Sequence, residues 1–520
     1  MLTEQLVSLI DKLDVPRNLG RPSTELTLGL IDLHLHVLGS SYHLLRSFLE
    51  AAPPRLTDGL SHARAMRAAR WAAARVPAYR TYLQGRGIDI MQVRSLDELP
   101  EIDKQTYVNV YPLEQRCLGG HIPLVGTTMD ESSGSTGRPY NWLRAGGERA
   151  HVRRMVSFFA RYAFGDAPLV ILNAFSMGAW ATGFTMAIAL EPNGLVKATG
   201  PDVQKILATM KELGPGYRYL IAGYPPFLKL LLDQGDAAEF PWAHYEMHAL
   251  MGGDGNSEGL RDYLQRRFRS VYSGYGATDV EIGLAAETAV SVRLRRLAAE
   301  DSRLALTLFG ESRRSPMVFQ YNPLLHFIET NANGELVFTV NRLSTLTPKI
   351  RYNIHDEGGV IRHDVLLERL QSAGYRWKDV MPALARRPIQ APYLYIFGRK
   401  DFTISVMGCN IYPQDIEAAI YSVPDVAVHV RSFLLSVIES IPGETRPLVS
   451  IQLEAAEPNP YLEDRVATVI WSWLLERNHD FQEAVREYPE LMRPVVQLHR
   501  TGTGPFVGSE QRIKHQYLVT

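Results

Sequence analysis

The chain has 520 residues, with 55 basic and 56 acidic side chains, a net charge of −1 and 46% apolar residues. A near-neutral, apolar-rich chain of this length buries large cores over about two to four domains, and it has neither the charge of a nucleic-acid or membrane-surface binder nor the composition of a disordered one. Its two cysteines, Cys117 and Cys409, lie far apart; they form no metal spacing or disulfide framework and fit a reducing compartment.

The opening stretch MLTEQLVSLIDKLDV has the pattern of an amphipathic helix and lacks the basic start and long apolar core of a signal peptide. The apolar stretch Leu26 to Leu45 is interrupted by Asp32, His34, His36 and His43, which makes it a poor membrane span. No membrane partner is expected, and a cytoplasmic location is. Residues 1–75 read as mostly helical, with 1–65 a helical leader. Ala63 to Arg75, rich in alanine and arginine, predicts a helix with a solvated basic face. Val76-Pro77 breaks it, and Ser95-Leu96-Asp97-Glu98-Leu99-Pro100 predicts a short capped helix ended before proline.

Asp130 to Pro139 is the most unusual stretch. Ser132, Ser133, Gly134, Ser135, Thr136 and Gly137 are all small, hydroxylated or glycine, and Arg138 follows. Such a run has no apolar face to bury. Its glycines let backbone N–H groups turn inward on a ligand, and hydroxyls plus a guanidinium suit a polyphosphate. A flexible Ser/Gly linker is the competing reading.

Glu148 to Phe164 then has helical periodicity. Short β-rich apolar runs follow at Pro168–Leu172, Tyr219–Ala222, Ala249–Met251 and Val271-Tyr272, with helical patterns at Asp202–Leu213 and Glu258–Arg269 between them. This alternation predicts an α/β fold: a large N-terminal domain with mainly parallel sheets flanked by helices. Ligands of such sheets bind at loops beyond the strand ends. The loops Asn173–Gly183, Gly223–Phe227 and Gly252–Gly255, the last holding Gly253 and Asp254, are the candidates. Leu336–Val340 and Tyr393–Phe397 read as later strands, and residues 363–392 as helical and proline-punctuated without a clear pattern. The turn Gly398-Arg399-Lys400-Asp401 is the expected boundary, giving domains 1–398 and 399–520. The second is a small, mobile α+β unit with strands near Val426–Val430 and Val449–Leu453 and a helix at Tyr461–Arg477.

Four separated stretches fit one family pattern. The chain resembles the adenylate-forming ligase superfamily, and most of all its phenylacetate–CoA ligase-like branch, over roughly residues 65–520. Ser132–Pro139 is similar to the phosphate-binding loop, with Ser135 where threonine is common and Arg138 where lysine is common. Tyr275-Gly276-Ala277-Thr278-Asp279 resembles the Tyr-Gly-x-Thr-Glu motif. The resemblance implies that Tyr275 stacks on adenine, Thr278 touches the α-phosphate, and Asp279 or nearby Glu281 holds Mg²⁺. Arg351-Tyr352 with Asp356 resembles the motif whose aspartate binds the ribose hydroxyls, but Ile354-His355 stand where Thr-Gly is usual. Gly398–Asp401, with Gly408 and Ile411–Glu417, resembles the domain junction, which makes Arg399 a nucleotide contact and Asp401 the hinge. The adenylation lysine falls by default to Lys514, the one lysine of the C-terminal tail, although its surroundings lack the usual Gly-Lys context.

The implied activity is ATP-dependent conversion of a carboxylic acid to an acyl-adenylate with release of pyrophosphate, then acyl transfer to coenzyme A. Fixed N–H donors, a hard cation held by carboxylates and a mobile lysine are what attack on an α-phosphate requires. Phe175 and Trp180 in one loop and Tyr224 and Phe227 in another would make a flat slot for an aromatic acid, though aromatics at such places are more often plain core. Two alternatives stay open: an adenylating ligase that passes its acyl group to a carrier-protein thiol or an amine, and a nucleotide-binding protein without turnover.

Overall fold

The computed structural model describes residues 22–131, 140–177, 181–310, 314–381, 387–399, 404–406, 409–441, 444–454 and 456–507. They form two compact units, each discontinuous in sequence. The first comprises Met1–Gly165, Gly178–Pro192 and Gly274–Phe397; the second comprises Asp166–Met177, Asn193–Ser273 and Gly398–Thr520.

The first unit begins with helices Pro22–Ser40, Tyr42–Ala51, Pro54–Arg75 and Pro77–Gln84. Pro54 and Pro77 each start a helix, where a missing N–H costs nothing. The solvated basic face expected for Ala63–Arg75 is not what forms. Ala63, Ala65, Met66 and Ala69 are fully buried, and Arg64 is drawn inside against Asp32 at 2.6 Å, with Arg67 on the other oxygen at 2.6 Å. Small alanines let the helix approach its neighbours closely, and one carboxylate compensates both guanidinium groups. The short helix expected at Ser95 is a single turn, Leu96–Glu98, closed by a capping box.

The α/β class is as expected, but the pairing is mixed: the second unit's strands Gly194–Ala198, Leu169–Asn173, Arg218–Gly223 and Glu246–Gly252 pair parallel in that order, as do Glu444–Leu453 and Val495–His499. In the first unit the pairing is antiparallel: His326–Thr330 with Glu335–Val340, the latter with Tyr352–Ile361, and Met317–Tyr321 with Tyr393–Ile396. The connections explain the difference. Only residues 331–334 join the His326 and Glu335 strands, whereas a parallel neighbour needs a crossover of about a dozen residues or more. Helix Gly146–Phe164 carries the predicted periodicity.

The second unit also holds a three-stranded sheet of Val430–Ile441, Glu444–Leu453 and Val495–His499, with helix Pro460–Arg477 sharing its core. The strand expected at Val426–Val430 starts only at Val430. Pro424 at the first helical position turns Pro424–Ala427 into a short helix instead. Within this unit the Ser257 N–H donates to the Glu417 carboxylate at 2.7 Å. Among the described residues no helix is long and apolar enough to cross a membrane.

Candidate active site

The Tyr275–Asp279 motif occupies the end of strand Ser270–Ala277 and the tight turn into strand Glu281–Ala286. The Val280 N–H closes that turn on the Ala277 carbonyl at 2.9 Å. Gly276 is obligatory here, since a Cβ would lie 2.9 Å from the Glu281 carbonyl oxygen and 2.8 Å from the Gly283 nitrogen. Arg144, from strand Asn141–Ala145, grips the turn from below. Its guanidinium donates to the Val280 carbonyl at 2.8 Å and to the Thr278 carbonyl, and it pairs with Asp130 at 3.2 Å. Thr278 and Asp279 are thus held by a buried side chain from an element distant in sequence.

Tyr275 packs its ring 5.6 Å from that of Phe319 and donates its hydroxyl to the Asp356 carboxylate at 2.7 Å. The residues that the resemblance assigns to adenine and ribose therefore meet in one unit. The Ile354-His355 departure also gains a physical account. His355 adopts φ 63°, a left-handed conformation that favours glycine. The histidine is held there because its N–H donates to the Asn353 side chain at 2.7 Å, while its ring lies between Glu335 at 3.4 Å and Asp103 at 3.5 Å.

Asp279 is buried and faces Lys104, whose ammonium is 2.8 Å away, and the Tyr352 hydroxyl, 3.4 Å away on the same oxygen. Glu281 is buried in a different setting. One carboxylate oxygen meets His326 at 2.8 Å and the other meets Arg342. Burial opposes its ionisation, but Arg342 and His326 together hold its carboxyl well below the usual carboxylate range. Burial likewise lowers the pKa of His326, so its link to Glu281 is read as a neutral imidazole donating to a carboxylate. The two candidate metal ligands can now be tested for fit. Both oxygens of Glu281 are committed to cationic or donor side chains, so Glu281 does not fit a metal. Asp279 keeps one oxygen outside the Lys104 and Tyr352 contacts and suits a hard cation whose remaining ligands come from a nucleotide. Among the described residues no cluster of three or more His, Cys, Asp or Glu is set to hold a metal by itself.

Lys349 was not visible as a candidate. It is 4% exposed, with its ammonium 4.3 Å from the Trp142 ring centroid, 5.5 Å from that of Tyr352 and 3.5 Å from the Thr347 hydroxyl. Burial, reinforced by Arg144 and Arg116 nearby, pushes its pKa down to about 7. A small pocket lies beside the Arg144 clamp in the first unit, lined by Thr128, Asp130, Arg144, Arg149, Phe184 and Thr185 among others.

In the second unit Phe175, Tyr224 and Phe227 are each 5% exposed or less, and Phe175 meets Tyr224 edge-on at 5.0 Å. Gly253 has φ 87° and begins the loop that carries Asp254. Arg399 ends the Tyr393–Arg399 strand. The phosphate-loop candidates Ser132, Ser133, Gly134, Ser135, Thr136, Gly137 and Arg138, together with Trp180, Asp401 and Lys514, lie outside the described residues. Strands Thr127–Glu131 and Asn141–Ala145, which flank that loop in sequence, pair antiparallel with Glu131 opposite Asn141.

No protein-family model matches the sequence, and the curated proteins contain no match to it. Solved structures do match. A 2-hydroxyisobutyryl-CoA ligase in the postadenylation state in complex with R3-HIB-AMP superposes with a TM-score of 0.60 at 15% identity, covering 89% of each chain. The same ligase with 2-HIB-AMP gives 0.58 at 16% identity, again over 89% of each chain. With 2-HIB-AMP and CoA in the thioesterification state it gives 0.51 at 15% identity, over 91% of each chain. Likeness at this identity carries the fold alone, and the chain shares the α/β fold of that CoA ligase.

Proposed function

We propose that the protein is an adenylate-forming acid–thiol ligase: it couples ATP and a carboxylic acid into an acyl-adenylate with release of pyrophosphate, then passes the acyl group to coenzyme A. The observation that carries this reading is the hydrogen bond from Tyr275 to Asp356, 81 positions apart in sequence. Two motif residues with adjoining implied duties touch, in a fold shared with ligases that hold acyl-adenylates and CoA.

In this reading Tyr275 receives the adenine and Asp356 accepts the ribose hydroxyls. Thr278, fixed by the Arg144 clamp, donates to the α-phosphate. Ser132–Arg138 cradles the leaving pyrophosphate, and Gly253, Asp254, Gly276 and Ala277 line the nucleotide. Mg²⁺ bound at Asp279 would neutralise charge that develops on the phosphates. Lys514 supplies the cation of the first step and Arg399 a further nucleotide contact. Asp401, at the junction of the proposed domains 1–398 and 399–520, is the hinge between the two half-reactions. The aromatic acid and the phenylacetate–CoA ligase-like branch are the finer parts of the proposal. They rest on Phe175, Trp180, Tyr224 and Phe227 and on the motif spellings.

Acid-dependent exchange of pyrophosphate into ATP tests the first step, and a thioester formed on adding coenzyme A tests the second. No exchange with any aromatic, amino or fatty acid would sink the enzyme reading. Exchange without a coenzyme A thioester would favour a carrier-protein thiol or an amine as acceptor.

A further inference from the structure

The Asp279 carboxylate already has a cationic partner that none of the recognised motifs contributes. Lys104 reaches it at 2.8 Å, and the side chains of the pair are only 23% and 8% exposed. The same ammonium stands 5.2 Å from the ring centroid of Tyr140. Tyr140 is the residue that follows Ser132–Pro139 in the chain, so the lysine is also next to the exit of the candidate phosphate loop.

The backbone that presents Lys104 is unusual. Lys104–Val108 is a single wide π-helical turn, a rare form that is frequent at functional sites. Asp103 caps it by accepting the Thr106 N–H at 2.6 Å, and the other Asp103 oxygen lies 3.5 Å from the His355 ring. His355 immediately precedes Asp356, the ribose candidate. The turn is therefore pinned to the strand that carries a nucleotide residue.

We propose that Lys104 is a triphosphate-binding residue that works by exchange. In the nucleotide-free chain it neutralises Asp279. When ATP arrives with a divalent cation, the cation replaces the ammonium on Asp279, and Lys104 turns to the β- and γ-phosphate oxygens. The exchange leaves no buried charge uncompensated at either stage, which is the costly outcome for a partly buried pair. An ammonium on a flexible four-carbon stem suits the movement better than a guanidinium fork. This inference rests on the adenylation reading above and adds a residue to it.

The test is equilibrium binding without turnover. The full chain is titrated in a calorimeter with AMP and with ATP, each in EDTA and in excess Mg²⁺, with no acid present. Lys104→Met is expected to weaken ATP in excess Mg²⁺ by about tenfold or more, the usual loss for a charge-assisted hydrogen bond. AMP, which lacks the β- and γ-phosphates, should stay within about threefold of wild type by the same reasoning. Lys104→Arg should recover most of the ATP affinity. Where Lys104→Met does not fold, Lys104→Gln carries the same expectation, because it keeps a hydrogen bond to Asp279 without the charge. Unchanged ATP binding, or equal weakening of AMP and ATP, overturns the assignment and leaves the adenylation reading standing. A wild-type chain that binds neither nucleotide overturns both.

Discussion

Tyr275 spends its hydroxyl on the carboxylate of Asp356, at 2.7 Å, while its ring stays against Phe319. The bond orients both the proposed adenine platform and the proposed ribose acceptor. Tyr275→Phe keeps the ring and deletes the bond. AMP affinity is expected to fall about five- to tenfold, as for one hydrogen bond of about 1 kcal/mol. Calorimetric titration of AMP checks this, and an unchanged affinity would mean that the bond does not organise a nucleotide site.

Arg144 serves the carbonyls of Thr278 and Val280 and the carboxylate of Asp130 together. A lysine cannot make all three contacts from one ammonium. Arg144→Lys should therefore loosen the turn and slow acid-dependent exchange by about ten- to a hundredfold, the scale on which a small misplacement of a catalytic group is felt. A rate within twofold of wild type, about the scatter of such comparisons, would remove Arg144 from the positioning role.

Glu281 offers a sharp separation of structure from chemistry. Glu281→Gln leaves Arg342 buried without its anion and should cost about 3–5 kcal/mol of stability. The loss should appear in thermal unfolding with or without Mg²⁺. The pH dependence follows from the sign of the shift. A carboxyl depressed by folding contributes its stability above its unfolded value, about 4.3, and loses it as pH falls through the lower folded value. Wild type should thus lose stability below about pH 4.3 more steeply than Glu281→Gln. Parallel acid unfolding curves for the two proteins would contradict the buried network.

Lys349 has the opposite linkage. Its folded pKa of about 7 lies below the unfolded 10.5, so the unfolded chain binds more protons between those values and stability rises with pH across that window. Below pH 7 the full cost of burying the ammonium is present, and above about pH 10.5 it is gone. Lys349→Met should be more stable than wild type near pH 7, with the advantage shrinking towards pH 10. Denaturant unfolding at the two pH values measures this, and a constant difference would refute it.

Much of the scaffold was readable in the sequence because its signals are local. The helical pattern at Asp202–Leu213 forms helix Val203–Leu213, and the apolar runs at Pro168–Leu172 and Tyr219–Ala222 fall in strands Leu169–Asn173 and Arg218–Gly223. The turn after Tyr275 was marked in the sequence by glycine and hydroxyl side chains at short spacing. The partners were not readable. Lys104, Arg144 and Arg342 act across gaps that no periodicity encodes, and His326 lies 45 positions from Glu281. A carboxylate two residues beyond a motif looks the same in sequence whether it meets a metal or an arginine. The basic helix Pro54–Arg75 misled for a related reason, since alanine is neutral evidence on burial and the arginines that suggested solvent found Asp32 instead.

His355 is a histidine in a conformation that L side chains adopt at a cost of about 1–3 kcal/mol. Glycine would relieve that strain, at the expense of a more flexible unfolded chain. His355→Gly is therefore expected to leave the melting temperature unchanged or slightly higher while ATP binds less tightly, because the imidazole no longer steadies the Asp103 turn. Robustness and function are set against each other at this one backbone position. A stabilising screen that reads only melting temperature would select the glycine and give up the proposed nucleotide affinity.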